Sequence, residues 1–168
     1  GLELATDRVR ELLTALGYFE AISDSLIDPQ WPAPAVWTEE QPLALNRQSV
    51  LREDHASLRN SLLVSLLDAQ RLNQDRRTGS VRIFECGKVF LPKAGSARPE
   101  ERAALGVLDE LGFQHLADAL RRLPEALALD GARLALRPAE GRAPAFLTPE
   151  SACRIARVRE TSDHERIE

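Results

Sequence analysis

Residues 58–90 read LRNSLLVSLLDAQRLNQDRRTGSVRIFECGKVF, and the run divides into helix, turn and strand. After Arg59, the apolar residues Leu62, Leu63, Val64, Leu66, Leu67, Ala69 and Leu72 recur at the i, i+3, i+4 spacing of a helix with a wide apolar face. Asn60 and Ser61 are suited to cap its start. Polar Gln70, Asn73, Gln74 and Asp75 thin the pattern, and Thr78-Gly79-Ser80 is turn chemistry that ends it. From Val81 to Phe90 the alternation puts Val81, Ile83, Glu85 and Val89 on one face and Arg82, Phe84, Cys86, Lys88 and Phe90 on the other. Both faces are partly apolar, which predicts a central strand.

On the N-terminal side, Thr6 or Asp7 is placed to cap a helix in which Val9, Leu12, Leu13 and Leu16 form one face, closed by Gly17. Tyr18 to Ile27 then reads as one strand ended by Asp28-Pro29. Glu20 and Asp24 share a face of it but stand about 13 Å apart when extended, too far for most paired-carboxylate catalysis. The segment QWPAPAVWTEEQP, residues 30–42, is irregular, with three prolines and with Trp31 and Trp37 as anchors into the core or stacking platforms. A short strand is expected within residues 43–51, and His55 lies in a charged cluster with no nucleophile and supporting acid recognisable beside it.

Downstream, residues 91–99 read as a mobile loop broken by Pro92, Gly95 and Pro99. Pro99-Glu100-Glu101 predicts a helix start, with Ala103, Ala104, Val107, Leu108 and Leu111 as its apolar side. Gly112 interrupts, and Leu116, Ala119, Leu120 and Leu123 predict a second helix stopped by Pro124, making a helical hairpin. Residues 125–168 carry weaker signals, with strand-like alternation at 133–137 and 152–158.

The 168 residues fit one domain, and a 43% hydrophobic, 29% charged composition with net charge -4 is that of an ordinary globular protein, not a free-standing nucleic-acid binder. No apolar run approaches the roughly 20 residues of a spanning helix, so the expectation is a cytoplasmic protein with no membrane partner. Gly1 at the start and the lack of any methionine suit a piece of something larger. Cys86 and Cys153 show no CxxC spacing, so neither a disulfide framework nor a metal site is expected. No phosphate-binding glycine loop, HExxH or GxSxG motif is present. The basic cluster Arg71, Arg76, Arg77 and Arg82 offers phosphate or RNA contacts, although cations also collect at helix C-termini for structural reasons.

Three segments in order carry a resemblance. GYFEAISDSLIDP supplies Gly17, Tyr18, Glu20, Ile22 and Ser25. SVLREDHASLRNSLLVSLLDAQRLNQDRR supplies Leu51, Glu53 or Asp54, Leu58, Arg59, Ser61, Leu62, Leu63, Leu66, Leu67, Asn73 and Arg76. VRIFECGKVF supplies Val81, Arg82, Phe84, Glu85, Gly87, Val89 and Phe90. Together they resemble the catalytic-like core of the β subunit of bacterial phenylalanyl-tRNA synthetase, over about residues 7–92 and more thinly at LDELGF beyond. Ser49-Val50, Arg52, Asp24 and Val64-Ser65 depart from the family pattern.

The resemblance implies an α+β fold of class II synthetase type, a mostly antiparallel sheet flanked by helices. It implies one domain over residues 1–168, cut from a larger β subunit. The activity implied is that of a phenylalanine–tRNA ligase holoenzyme, a heterotetramer with a catalytic α subunit that uses ATP and magnesium and binds tRNA. This chain itself is expected to be a non-catalytic scaffold without a cofactor or catalytic residues. In a catalytic class II domain the central strand runs on into an ATP-contacting arginine, whereas Phe90 is followed here by Leu91 and Pro92. Val9, Leu12, Leu13 and Leu16 fall in the family's dimer-forming motif and are expected to meet the α subunit or the chain's own core. Arg59 and Glu85 are expected to form a buried ion pair between central helix and strand. The competing readings are a free-standing paralogue acting as a regulatory or RNA-binding module, and a small ATP-dependent amino-acid-activating enzyme.

Overall fold

A computed structural model describes residues 2–29, 43–44, 56–76, 79–96 and 98–128, with the strand backbones 132–138, 153–159 and 166–167. Trp31, Trp37, His55 and Arg77 lie outside the described residues.

The first helix, α1 (Leu2–Ala15), begins well before the expected caps. Thr6 lies inside it, its hydroxyl donating to the Leu2 carbonyl at 3.0 Å. Gly17, at φ 83°, turns the chain out of the helix as expected of a closing glycine. The single strand expected over residues 18–27 is instead two short pieces, β1 (Phe19–Glu20) and β2 (Leu26–Ile27), separated by irregular chain. β3 (Leu43–Ala44) falls where a short strand was expected, and β4 (Ser57–Leu58) pairs antiparallel with both β2 and β3.

The decisive run folds as it reads, into α2 (Leu63–Asp75) and β5 (Arg82–Leu91). Ser61 assists the start of α2 by accepting the Leu63 N–H at 3.1 Å. β5 is the middle strand of a three-stranded sheet, parallel to β1 (Phe19 beside Ile83) and antiparallel to β6 (Glu100–Asp109) through ten residue pairs. β6 occupies the residues expected to be a helix. Its i, i+3, i+4 apolar spacing was outweighed by the ladder with β5, which satisfies the backbone along its whole length.

The helical hairpin is therefore absent, and the chain continues from β6 into α3 (Phe113–Arg121) and the single turn α4 (Leu123–Ala126). Pro124 stands in the first turn of α4, where its missing N–H costs nothing, and so does not stop the helix before it. β7 (Ala132–Pro138), β8 (Cys153–Arg159) and β9 (Arg166–Ile167) form a separate antiparallel sheet, giving structure to a region whose sequence signals were weak.

The two faces of β5 build two layers. Phe84, fully buried, packs with Val9 and Leu13 of α1, Tyr18, Ala119 and Leu123, while Ile83 packs with Leu66 of α2 and Val81. Gly106 of β6 lets α2 approach closely, since a Cβ there would stand 2.7 Å from Leu66 Cδ1 and 3.0 Å from Leu62 Cβ. The architecture is α+β, with helices on both faces of a mostly antiparallel sheet.

Candidate subunit-docking site

Arg59 immediately precedes the first turn of α2, and its side chain lies against β5. Its guanidinium Nη1 donates to Glu85 Oε1 at 2.7 Å, and the two side chains are only 3% and 4% exposed. Two charges so deeply removed from water need every remaining polar atom satisfied. Ser23 Oγ donates to Glu85 Oε2 at 2.6 Å and accepts from Arg59 Nη1 at 2.8 Å; Arg59 Nε donates to the Lys88 carbonyl at 2.9 Å. Nη1 also reaches the Asp24 carbonyl at 3.2 Å, and the Arg59 backbone N–H donates to the Ser25 carbonyl at 3.0 Å. Gly87 makes room, because a Cβ there would lie 2.6 Å from Arg59 Nη2.

One arginine thus holds three consecutive residues, Ser23, Asp24 and Ser25. After the Ala21 N–H donates to the Phe84 carbonyl at 2.7 Å, the chain is drawn off the edge of β5 toward Arg59. The residues just before this anchor point outward, with Phe19 77% and Ile22 92% exposed. Beside them Glu20 accepts from Arg10 of α1 at 2.7 Å. Phe19 and Ile22 are the most exposed of the large apolar side chains among the described residues, and they stand just ahead of the segment held by Arg59.

On the opposite layer, Arg82 Nη2 donates to the Leu16 carbonyl at 2.8 Å, and the guanidinium stacks on the Tyr18 ring, 4.4 Å from its centroid. Asp109 Oδ2 accepts from the Tyr18 hydroxyl and lies 3.5 Å from Arg82 Nε and 3.3 Å from His115 Nδ1. Burial alone would push the Asp109 carboxyl up. The bonds from Tyr18 and the Leu111 N–H, with the charges of Arg82 and His115, outweigh it and hold the group below its usual range. Burial, then the bond to Asp109, pushes the Tyr18 hydroxyl up to about 12. A shallow cleft of about 200 Å³ lies over this network, lined by Leu16, Tyr18, Arg82, His115, Asp118, Ala119 and Arg122. Sequence reasoning missed the network because its members are far apart in the chain.

Of the four arginines singled out in sequence, Arg77 lies outside the described residues and the other three have separate engagements or settings. Arg82 is engaged with Leu16, Tyr18 and Asp109, and exposed Arg71 sits 3.6 Å from Asp68 on its own helix. Arg76 is the exposed C-cap of α2. Of the leucine face on α1, Val9 and Leu13 are buried in the chain's own core, while Leu12 and Leu16 pack against it half-buried. Cys86 is a free thiol, pushed up by burial and then by Glu20. Among the described residues no group of three or more His, Cys, Asp or Glu side chains is placed to hold a metal, and no helix is long and apolar enough to cross a membrane. β5 closes on Leu91, so leucine stands where the family resemblance puts the ATP-contacting arginine of a catalytic class II domain.

Comparison with known proteins agrees with this architecture. Among solved structures, the pyrrolysyl-tRNA synthetase of Desulfitobacterium hafniense superposes with a TM-score of 0.63 over 98% of this chain and 56% of its own, at 18% identity. The ATP phosphoribosyltransferase regulatory subunit/histidyl-tRNA synthetase of Bacillus halodurans C also gives 0.63, over 80% of this chain and 36% of its own, at 16% identity. At such identities the likeness establishes the fold, that of class II aminoacyl-tRNA synthetases. The phenylalanine–tRNA ligase beta subunit of Aeropyrum pernix is 32% identical over 73% of this chain and 22% of its own length. That of Moorella thermoacetica is 39% identical over 59% of this chain and 12% of its own. The chain thus spans less than a quarter of these relatives. The pattern of the family described as the phenylalanyl tRNA synthetase beta chain CLM domain matches residues 2–157, and the chain belongs to that family.

Proposed function

We propose that the chain is a non-catalytic scaffold of a phenylalanine–tRNA ligase, the cytoplasmic enzyme that charges tRNA with phenylalanine using ATP and magnesium, and that it docks on the catalytic α subunit within a heterotetramer. The observation that carries the reading is the pairing of charged groups engaged within the chain with an exposed apolar edge. Arg59, Glu85 and Arg82 are held by internal partners, while Phe19 and Ile22 face outward. Catalysis needs groups free to meet a substrate, whereas docking needs a preformed apolar surface.

Because Val9 and Leu13 are buried in the chain's own core, we assign the docking surface to the exposed Phe19 and Ile22, together with the half-buried Leu12 and Leu16 of α1. The parent protein's RNA contacts are assigned elsewhere, in keeping with a net charge of -4.

The test is co-expression with the α subunit of the same genome, followed by measurement of the mass of the complex in solution. Wild-type chain is expected to form a stable complex, and Ile22→Asp to abolish it while melting at the wild-type temperature. A folded, monomeric wild-type chain that ignores the α subunit would overturn the docking reading.

A further inference from the structure

Residues 21–25 carry the ordinary alternation of a strand, yet they leave the sheet after Ala21. The physical cause is local and specific. Ser23 Oγ, the Asp24 carbonyl and the Ser25 carbonyl all accept from Arg59, and the Ser23 hydroxyl donates a hydrogen bond to Glu85 Oε2 at 2.6 Å. Ser23 is the only one of the three that contributes a side chain to both charges at once. Without its hydroxyl, Arg59 Nη1 and Glu85 Oε1 still meet at 2.7 Å, but one carboxylate oxygen loses its donor and the loop loses its side-chain tether.

We propose that Ser23 is a positioning residue, which through the buried Arg59–Glu85 pair fixes the outward setting of Phe19 and Ile22 for the α subunit. The inference rests on the docking reading above and adds to it a reason for a buried ion pair beside an apolar contact surface. An exposed isoleucine on a slack loop must be ordered when a partner arrives, and that ordering weakens binding. Ile22 is instead held beforehand between the Ala21 N–H bonded to the Phe84 carbonyl and Ser23 bonded to Arg59 and Glu85. The occupant is the α subunit and not a second copy of this chain. Phe19 belongs to β1, an edge strand of its sheet among the described residues, and the relatives bear the name of one subunit, the beta subunit, of phenylalanine–tRNA ligase.

The experiment uses the chain co-expressed with the α subunit and compares Ser23→Ala, Ser23→Thr and Ile22→Asp by backbone hydrogen exchange and by binding kinetics. Ser23→Ala is expected to speed exchange at residues 21–26 and to weaken the complex about 3- to 10-fold, the size of an ordering cost of one or two side chains. Ser23→Thr, which keeps the hydroxyl, is expected to behave as wild type. If Ser23→Ala leaves exchange unchanged, or speeds it without weakening the complex while Ile22→Asp abolishes binding, the positioning role is overturned and the docking surface stands. If Ile22→Asp binds normally, or if the chain pairs with itself through Ile22 and not with the α subunit, the docking reading fails and this inference fails with it.

Discussion

Removing the Arg59 guanidinium would leave Glu85, 4% exposed, with the Ser23 hydroxyl as its one remaining hydrogen-bond donor among those described. Arg59→Met is therefore expected to cost about 3–5 kcal/mol in urea denaturation, and pairing it with Glu85→Leu to restore most of that, because the loss is chiefly a stranded charge. Tyr18 gives a second expectation at this scale. Its folded pKa, about 12 against an ordinary 10, is raised, so the stability it contributes is complete below pH 10 and is lost as pH rises toward 12. The difference in stability between wild type and Tyr18→Phe should shrink over that window by roughly 2–3 kcal/mol. Both networks were only partly legible in the sequence. Arg59 and Glu85 stand out as charges in apolar runs, but nothing local marks Ser23, Asp109 or His115 as partners of residues many positions away.

At the scale of elements, legibility followed how many constraints each segment satisfied alone. α2 and β5 had period, stop signals and two apolar faces in agreement, and both fold where they read. β6 offered good helix formers at helical spacing and was misread, because its strand state depends on the neighbouring β5. Gly106 was the overlooked signal, a residue poor in a helix interior and needed where α2 crosses the sheet. Gly106→Ala is expected to push Leu62 and Leu66 outward and to destabilise the fold by about 1–3 kcal/mol, read as a lower denaturation midpoint at unchanged slope. Residues 21–25 were misread as strand for the opposite reason. Their alternation was genuine, but Arg59 offered their backbone a better set of donors.

For the whole molecule, charge placement bears on the proposed scaffold role. Among the described arginines, Arg71 pairs with Asp68 on its own helix and Arg82 is engaged with Leu16 and Asp109. The purified chain is expected to show no saturable ATP binding at micromolar concentrations and no amino-acid-dependent pyrophosphate exchange. Calorimetry and an exchange assay check this, and micromolar ATP affinity of the isolated chain would favour the enzyme alternative. The fold class was legible because three segments in order, around residues 17–29, 49–77 and 81–90, resemble one family whose fold is known. In the separate β7–β8–β9 sheet the alternation at 133–137 and 152–158 did mark β7 and β8, whereas the two residues of β9 are too few to show a period.

The parallel pairing of Phe19 with Ile83 has a consequence for synthesis on the ribosome. The partner of β1 lies 64 positions downstream, from residue 19 to residue 83. At about 5–20 residues per second, α1 and β1 wait roughly 3–13 s before β5 emerges. During that interval Val9, Leu13 and Tyr18, later buried against Phe84, have nothing to cover them. The nascent chain is then most open to holding chaperones, and slowing translation ahead of codon 84 should lengthen that exposure and lower the soluble yield.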